Sequence, residues 1–394
     1  MLDNNQKLET NILNSVEGFR EAIIKKEELE REGSNFENQK GLVRQTINRL
    51  HPKRLKLRLE NIRIDTPSTK TLRFVSVDGK NLPPFQSGQY INLFVSLSGV
   101  FTARPYSISS PPTNLSSYEL TIKRAEGGFV SPYLLDDVAI GQVFESTGPM
   151  GSFHHNPLFH GRDLVFLAGG SGIAPAMSML KSFLTSSESF RFHIIYSNSF
   201  ENDVIFIDEL RSLVAGHQNF ILSEFLSREV GPDYKGFRGR LNLSTLKTLL
   251  SDAPSKMYYV CGPTPFNDHC ASLLSELGVK SGRILIESNG PPKMPEKMQG
   301  WPSSLHPEKE VNIKVGNEKP FPAKVGEPLL NSLERNGYFT ENACRSGECS
   351  LCRVKLKSGE VFSPPEAKIR KSDKKFGWIH SCVAFPTTDL EIQL

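Results

Sequence analysis

Three cysteines fall within one short stretch, Cys344-Arg345-Ser346-Gly347-Glu348-Cys349-Ser350-Leu351-Cys352, and a fourth, Cys382, follows after a gap of 29 residues. Four residues separate the first two cysteines and two separate the next pair. This is the spacing of a plant-type [2Fe-2S] centre, in which one tight loop supplies three thiolates and a separate element closes the site. Few other patterns constrain a fold as far, because the loop must be held rigid while a distant segment returns to it. Gly347 suits the turn, since glycine takes positive φ at little cost and lets N–H groups point at sulfur. A structural zinc site would pair two short C-x-x-C knuckles, and only Cys349 and Cys352 form one. A disulfide framework belongs to small secreted domains, whereas this chain has 394 residues. An iron-sulfur cluster passes single electrons, so the rest of the chain is expected to hold a group that loads it.

That remainder has room for roughly two to four domains, and its 38% hydrophobic content can build ordinary cores. The net charge of +4 is small for the length and gives no reason to expect nucleic-acid binding. No apolar run approaches the ~20 residues of a membrane span, and Asp3, Asn4 and Asn5 leave the N-terminus without an apolar signal core. The expectation is a cytoplasmic protein without a membrane span. With four cysteines in the cluster, Cys261 and Cys270 remain, and they need no oxidising compartment.

Residues 1–52 read as a helical extension. Ile12, Val16, Phe19 and Ile23 recur at helical spacing, as do Val43, Ile47 and Leu50 after a polar break at Gly33-Ser34-Asn35. From Lys40 to Leu59 there are Lys and Arg but no acidic residue, which is either a docking face for an acidic partner or a solvated face. From Leu55 the period becomes two (Leu55, Leu57, Leu59), and short alternating segments bounded by Gly and Pro predict an antiparallel barrel over residues 53–158. Within it lies Arg104-Pro105-Tyr106-Ser107, followed by Lys123 and Arg124 and then Gly127-Gly128-Phe129-Val130-Ser131. An arginine, an aromatic, hydroxyls and a paired-glycine turn into a helix suit a flavin phosphate and ring. Arg104 can pair the phosphate, Gly128, Val130 and Ser131 can donate at a helix start, and Tyr106 can stack or simply fill the core.

These two stretches resemble the flavin motif of the ferredoxin-NADP reductase superfamily, and the next segment extends the likeness. Leu164 to Ala168 reads as a buried strand running into Gly169-Gly170-Ser171-Gly172-Ile173-Ala174-Pro175 and a helix. Strand, glycine turn and helix make a nucleotide cradle, although Pro175 stands where a dinucleotide fingerprint would have glycine. Further strands end at Ser197-Asn198, Ser227-Arg228 and Cys261-Gly262-Pro263, where open parallel sheets bind ligands. The resemblance implies that Gly169, Gly170, Ser171, Gly172, Ile173 and Pro175 receive a pyridine dinucleotide. It sets Cys261, Gly262 and Pro263 beside the nicotinamide, Ser107 near flavin N5, and Glu287 as the acidic residue near hydride transfer. Asn289 stands where relatives often carry an aromatic. Ser227-Arg228 resembles a pair that holds the 2′-phosphate of NADPH, but it also occurs in relatives that use NADH, so the donor stays open. FAD and FMN stay equally open.

Five prolines within residues 290–310 predict a stiff linker, and residues 311–394 resemble the β-grasp ferredoxin fold. The order is thus an antiparallel flavin barrel, an α/β nucleotide domain over 159–289 and a C-terminal [2Fe-2S] domain. It resembles the phthalate dioxygenase reductase type. The likeness implies an NAD(P)H:acceptor oxidoreductase that passes electrons through flavin and cluster to a partner metalloprotein, the terminal component of an oxygenase or demethylase. Two alternatives are an electron-transfer subunit of a larger enzyme and a reductase for a corrinoid or hybrid-cluster protein.

Overall fold

The alternation that begins at Leu55 becomes strand β1 (Leu55–Thr66), which buries Leu57 and Leu59 and turns Lys56, Arg58 and Glu60 to solvent. It joins β2 (Thr69–Ser76), β3 (Tyr90–Leu97), β4 (Val100–Ser107), β5 (Tyr118–Lys123) and β6 (Val143–Ser146) in an antiparallel sheet of order β4-β3-β6-β1-β2-β5. Its two edges meet where Ile108 bridges Leu120 and the Ser109 N–H donates to the Glu119 carbonyl at 2.9 Å. The closed sheet encloses Leu57, Leu72, Leu93, Tyr118 and Leu120. The structure, a computed structural model, describes residues 19–32, 41–50, 52–228, 230–288, 290–365 and 367–394.

A parallel sheet follows, built from β7 (Asp163–Gly169), β8 (Arg191–Asn198), β9 (Phe220–Leu226), β10 (Phe237–Arg238), β11 (Met257–Gly262) and β12 (Ile284–Ser288) in the order β10-β9-β8-β7-β11-β12. The continuous apolar run Leu164 to Ala168 is explained by helices on both faces. Met177, Leu180 and Leu210 cover one face; Leu246, Cys270 and Leu274 cover the other. Strand order reverses between β7 and β11, which opens a crevice at their carboxyl ends.

The C-terminal sheet takes β13 (Glu310–Val315), β14 (Phe321–Lys324), β15 (Arg353–Ser358), β17 (Trp378–His380) and β19 (Leu390–Gln393) in the order β14-β13-β19-β15-β17, while β16 (Val361–Phe362) pairs with β18 (Phe385–Pro386). The helix Leu329–Arg335 packs across it through Leu329 and Leu333. Trp301 and Leu305, from the proline-rich segment, rest on the same core. The barrel, α/β and β-grasp classes expected from the sequence are therefore all present.

Residues 1–50 form a separate unit. Its helices Phe19–Glu32 and Leu42–Leu50 contain Phe19, Ile23, Val43, Ile47 and Leu50 at the predicted spacing. Ile12, Val16 and the Gly33-Ser34-Asn35 break lie outside the described residues. Among the described residues no helix is long and apolar enough to cross a membrane.

Candidate active site

The cysteine loop has the geometry its spacing demands. Gly347 sits at φ 82°, and Arg345 and Ser350 are also left-handed, at φ 52° and 60°, an unusual conformation for residues with side chains. The turn aims the N–H groups of Ser346, Glu348 and Cys349 at Cys344 Sγ, at 3.4, 3.3 and 3.3 Å. A Cβ on Gly347 would lie 2.8 Å from Val383, which adds a steric reason for glycine there. Cys382 follows β17 and places its sulfur 3.2 Å from Cys352 Sγ. The thiols thus fall into two pairs, Cys344 with Cys349 and Cys352 with Cys382. Two thiolates for each of two irons is what a [2Fe-2S] cluster requires, so the donor set fits it.

Three residues from distant parts of the chain converge beside this loop. Ser107 ends β4, Cys261 lies near the end of β11 and Glu287 lies on the neighbouring β12, two residues from Leu285 of the sheet core. Glu287 Oε2 accepts from Ser107 Oγ at 3.4 Å and lies 3.6 Å from Cys261 Sγ. Desolvation raises the Glu287 pKa to about 7, opposed by the bonds from Cys261 and Ser107. Its backbone carbonyl accepts from Asn267 Nδ2 at 2.9 Å. A cleft of 770 Å³ opens here between Tyr90, Glu287, Asn267, Cys344 and Cys349. Nothing in the sequence marks Tyr90 or Asn267 as a site residue, because a lone tyrosine on a strand and a lone asparagine on a helix carry no pattern. Asn289 lies outside the described residues.

The glycine turn meets the β11 loop at close range. A Cβ on Gly172 would lie 1.9 Å from the Cys261 carbonyl oxygen, so no side chain fits. Gly169 ends β7, Gly170 to Gly172 form one 3-10 turn, and Ile173 and Pro175 are buried in the helix Ile173–Leu184. Gly169, Gly170, Ser171, Ser197, Asn198, Ser227 and Pro263 line a second cavity of 580 Å³. At Gly262 a Cβ would lie 2.6 Å from the Phe266 ring and 3.1 Å from Gly169 Cα, so this turn also needs glycine. Arg228 stands at the surface with its guanidinium 5.0 Å from the Phe200 ring centre. Lys123, expected among the cofactor residues, lines this nucleotide cavity and pairs with Asp203 at 2.6 Å. Asp203 also accepts from Thr66 and from Ser68, so this cluster ties the barrel to the α/β domain.

In the flavin motif, Arg104, Pro105, Tyr106 and Ser107 close β4, and Tyr106 packs on the barrel core that also holds Val130. Ser131 Oγ accepts the Ala125 N–H at 2.9 Å and Gly128 N–H donates to the Ala125 carbonyl, which fixes the turn. Arg104 Nη1 donates to Thr102 Oγ1 and the Ala103 carbonyl at 2.6 and 2.8 Å. Burial and the nearby Arg345 draw the Arg104 pKa down to about 10.

Arg345, inside the cysteine loop, joins the same network. Its Nη1 and Nη2 donate to Glu334 at 2.8 and 3.0 Å, and Nη1 reaches the Ala103 carbonyl at 3.3 Å. Thr102 Oγ1 donates to Glu334 Oε2 at 2.9 Å. Asn92 Nδ2 donates to the Asn342 carbonyl, and Arg54 pairs with Glu341 at 2.9 Å. Phe101 packs on Phe339 with centroids 5.1 Å apart. The [2Fe-2S] loop is thereby fastened to β3 and β4, the strands that lead to the flavin motif. Arg54, part of the basic stretch from Lys40 to Leu59, is committed to this interface.

Comparison with known proteins agrees with this architecture. The family described as "Oxidoreductase FAD-binding domain" matches residues 56–155, "Oxidoreductase NAD-binding domain" matches 166–272, and "2Fe-2S iron-sulfur cluster binding domain" matches 313–387. A glycine betaine monooxygenase reductase subunit of Pseudomonas aeruginosa is 30% identical over 318 residues, covering 78% of this chain and 87% of that protein. The chain belongs to the family of that subunit, reductases that join FAD-binding, NAD-binding and [2Fe-2S] cluster-binding domains in one chain. The reductase is also 29% identical to the NADH oxidoreductase HCR of Escherichia coli, over 85% of this chain and 96% of that one. The solved structure of phthalate dioxygenase reductase has the same fold, with TM-score 0.64 and 21% identity over 86% of this chain and 98% of that one. The reductase is an NAD(P)H:acceptor oxidoreductase with a flavin, a pyridine nucleotide donor and a [2Fe-2S] cluster.

Proposed function

We propose that this reductase loads the terminal component of a multicomponent oxygenase or demethylase, and that Ser107, Cys261 and Glu287 form its hydride-transfer station. The observation that carries the assignment of residues is their convergence within 3.4 to 3.6 Å at the junction of barrel, α/β domain and cluster loop. The flavin supplies the conversion of a two-electron hydride donor into single electrons. Gly169, Gly170 and Ser171 take the dinucleotide phosphates against backbone N–H groups, and Gly172 admits the Cys261 loop so that Cys261, Gly262 and Pro263 orient the nicotinamide. Arg104, with Gly128, Val130 and Ser131, holds the flavin phosphate.

Ser107 Oγ and Glu287 Oε2, 3.4 Å apart, would hold and pass a proton beside a bound flavin ring. A carboxyl with a pKa near 7 can accept and return that proton at working pH. Cys344, Cys349, Cys352 and Cys382 hold the cluster. The domain limits that fit this division are 1–52, 53–158, 159–289, 290–310 and 311–394. A cytoplasmic setting suits six cysteines that form no disulfide. The oxygenase assignment rests on the relative named as a monooxygenase reductase subunit. Its test is product formation in extract from a deletion strain supplemented with the reductase, in air and under argon. Loss of product under argon is expected; equal product in both would assign a non-oxygen acceptor.

A further inference from the structure

Cys344 is the cluster-loop sulfur on the side of Ser107 and Glu287, from which a bound flavin would deliver electrons. That sulfur shares a small apolar cluster with Tyr90 and Met150 and borders the cleft with Glu287. Arg345, Glu334 and Asn342 tie the same part of the loop to β3 and β4 of the barrel, which leaves less of it to an accepting protein. Cys352 and Cys382 pack with Leu330, Val383 and Ala367, of which Val383 and Ala367 also border that cleft. The chain that continues from Ala367 and leads away from the cleft lining is basic. Arg353 follows Cys352 directly, and the segment from Ala367 to Phe376 carries Lys368, Arg370, Lys371, Lys374 and Lys375, all exposed.

Several contacts fix this segment to the cluster loop. Ala367 Cβ lies 3.4 Å from where a Cβ on Gly347 would stand, and Lys368 pairs with Glu348 at 2.6 Å. His380 Nδ1 contacts the Gly347 carbonyl at 2.9 Å, while its Nε2 lies 3.8 Å from Asp373 of the helix Lys371–Lys375. The acid of that helix is spent internally: Asp373 is 5% exposed and pairs with Arg353 at 3.0 Å. Lys355, on the adjoining strand, donates to the Phe376 carbonyl and lies over Trp378. Arg370, Lys371, Lys374 and Lys375 have no ion-pair partner among the described residues, and Phe376 stands 59% exposed beside them. Like charges packed this densely repel one another, and an uncompensated field of one sign speeds encounter with the opposite sign. Exposed aromatics are enriched at the centres of protein interfaces, whose rims are polar.

We infer that the face formed by Arg370, Lys371, Lys374, Lys375 and Phe376 docks an electron-accepting protein whose own metal centre is ringed by carboxylates. This inference rests on the proposal that electrons leave the cluster for a partner protein, and it names the surface by which they leave. The face differs from the basic stretch between Lys40 and Leu59, which the sequence had offered as a docking region.

The test uses the full-length holo-reductase and its variant Lys371→Glu/Lys374→Glu/Lys375→Glu, with NADH or NADPH as donor. Nucleotide-driven bleaching of the flavin band and the reduced-cluster electron paramagnetic resonance signal are measured first. Unchanged values show that hydride uptake and cluster loading are intact, and loss of either in the wild type refutes the parent reading instead. Two acceptor proteins then serve as probes, acidic soluble cytochrome b5 and basic cytochrome c, each at about 20 and about 300 mM salt. The expected result is a fall of about 10-fold or more in kcat/KM toward the acidic acceptor at low salt, a rise toward the basic one, and convergence at high salt. The neutral variant Lys371→Gln/Lys374→Gln/Lys375→Gln should fall between. Changes of the same sign for both acceptors, or none for either, would overturn the inference.

Discussion

Substituting Glu334 by glutamine tests whether the buried ion pair under the cysteine loop holds the cluster against the barrel. Glu334 and Arg345 have side chains 3% and 6% exposed and share two contacts of 2.8 and 3.0 Å. Removing one partner of a buried pair costs about 3–5 kcal/mol, because the other charge stays in a dry site. The lower figure applies here: the amide still accepts one bond, and Arg345 keeps Asn331 Oδ1 at 2.6 Å and the Ala103 carbonyl at 3.3 Å. Arg104 beside it makes the stranded charge worse. About 3 kcal/mol on a domain of this size lowers its melting temperature by about 12 °C or more. The assay is thermal loss of the cluster's visible circular dichroism, with stopped-flow reduction by the nucleotide in parallel. Flavin bleaching should keep its rate while electron arrival at the cluster slows. A shift below about 1 kcal/mol, or equal slowing of both steps, would refute the reasoning.

Three further outcomes follow from the site. Gly172→Ala drives a Cβ into the Cys261 carbonyl oxygen and should cut nucleotide-dependent flavin reduction by about 100-fold or more, measured against dithionite reduction, which should not change. Glu287→Gln should remove an inflection near pH 7 from acceptor reduction, a rate that rises with pH as the carboxylate forms. The same group binds a proton in the folded state that the unfolded chain has lost between about pH 4.5 and 7, so stability falls as pH rises through that window. Chemical denaturation of the flavin-free protein should show that slope in the parent and a flatter one in the variant. Arg228→Ala, compared with NADH and NADPH, should weaken NADPH use alone if the guanidinium reads the 2′-phosphate, and equal kinetics would remove Arg228 from the site.

Much of this was legible in the chain because the relevant physics is local. The cysteine spacing encodes a loop that closes on itself within nine residues, and the glycine turn encodes a strand-to-helix connection whose backbone must approach another loop. Period-two and continuous apolar runs separated the barrel from the parallel sheet for the same reason. Glu287 was reached by resemblance, yet its convergence with Ser107 depends on contact across 180 residues of chain. The Arg345–Glu334 pair escaped notice because each residue alone reads as a surface charge, and only Thr102 and Ala103, more than 240 positions away, make the site dry. Lys123 shows the converse: the sequence set it beside a flavin motif, and its nearest charge proved to be Asp203 in the nucleotide domain.

The central claim is a continuous path from nucleotide through flavin to the cluster. An anaerobic titration of the purified holo-protein with NADH and then NADPH, followed by visible absorption and electron paramagnetic resonance, tests it most directly. The account predicts bleaching of the flavin band together with a rhombic reduced [2Fe-2S] signal, with at least one of the two donors. Failure of both donors to bleach the flavin, or a bleached flavin beside a cluster that stays oxidised, would contradict it.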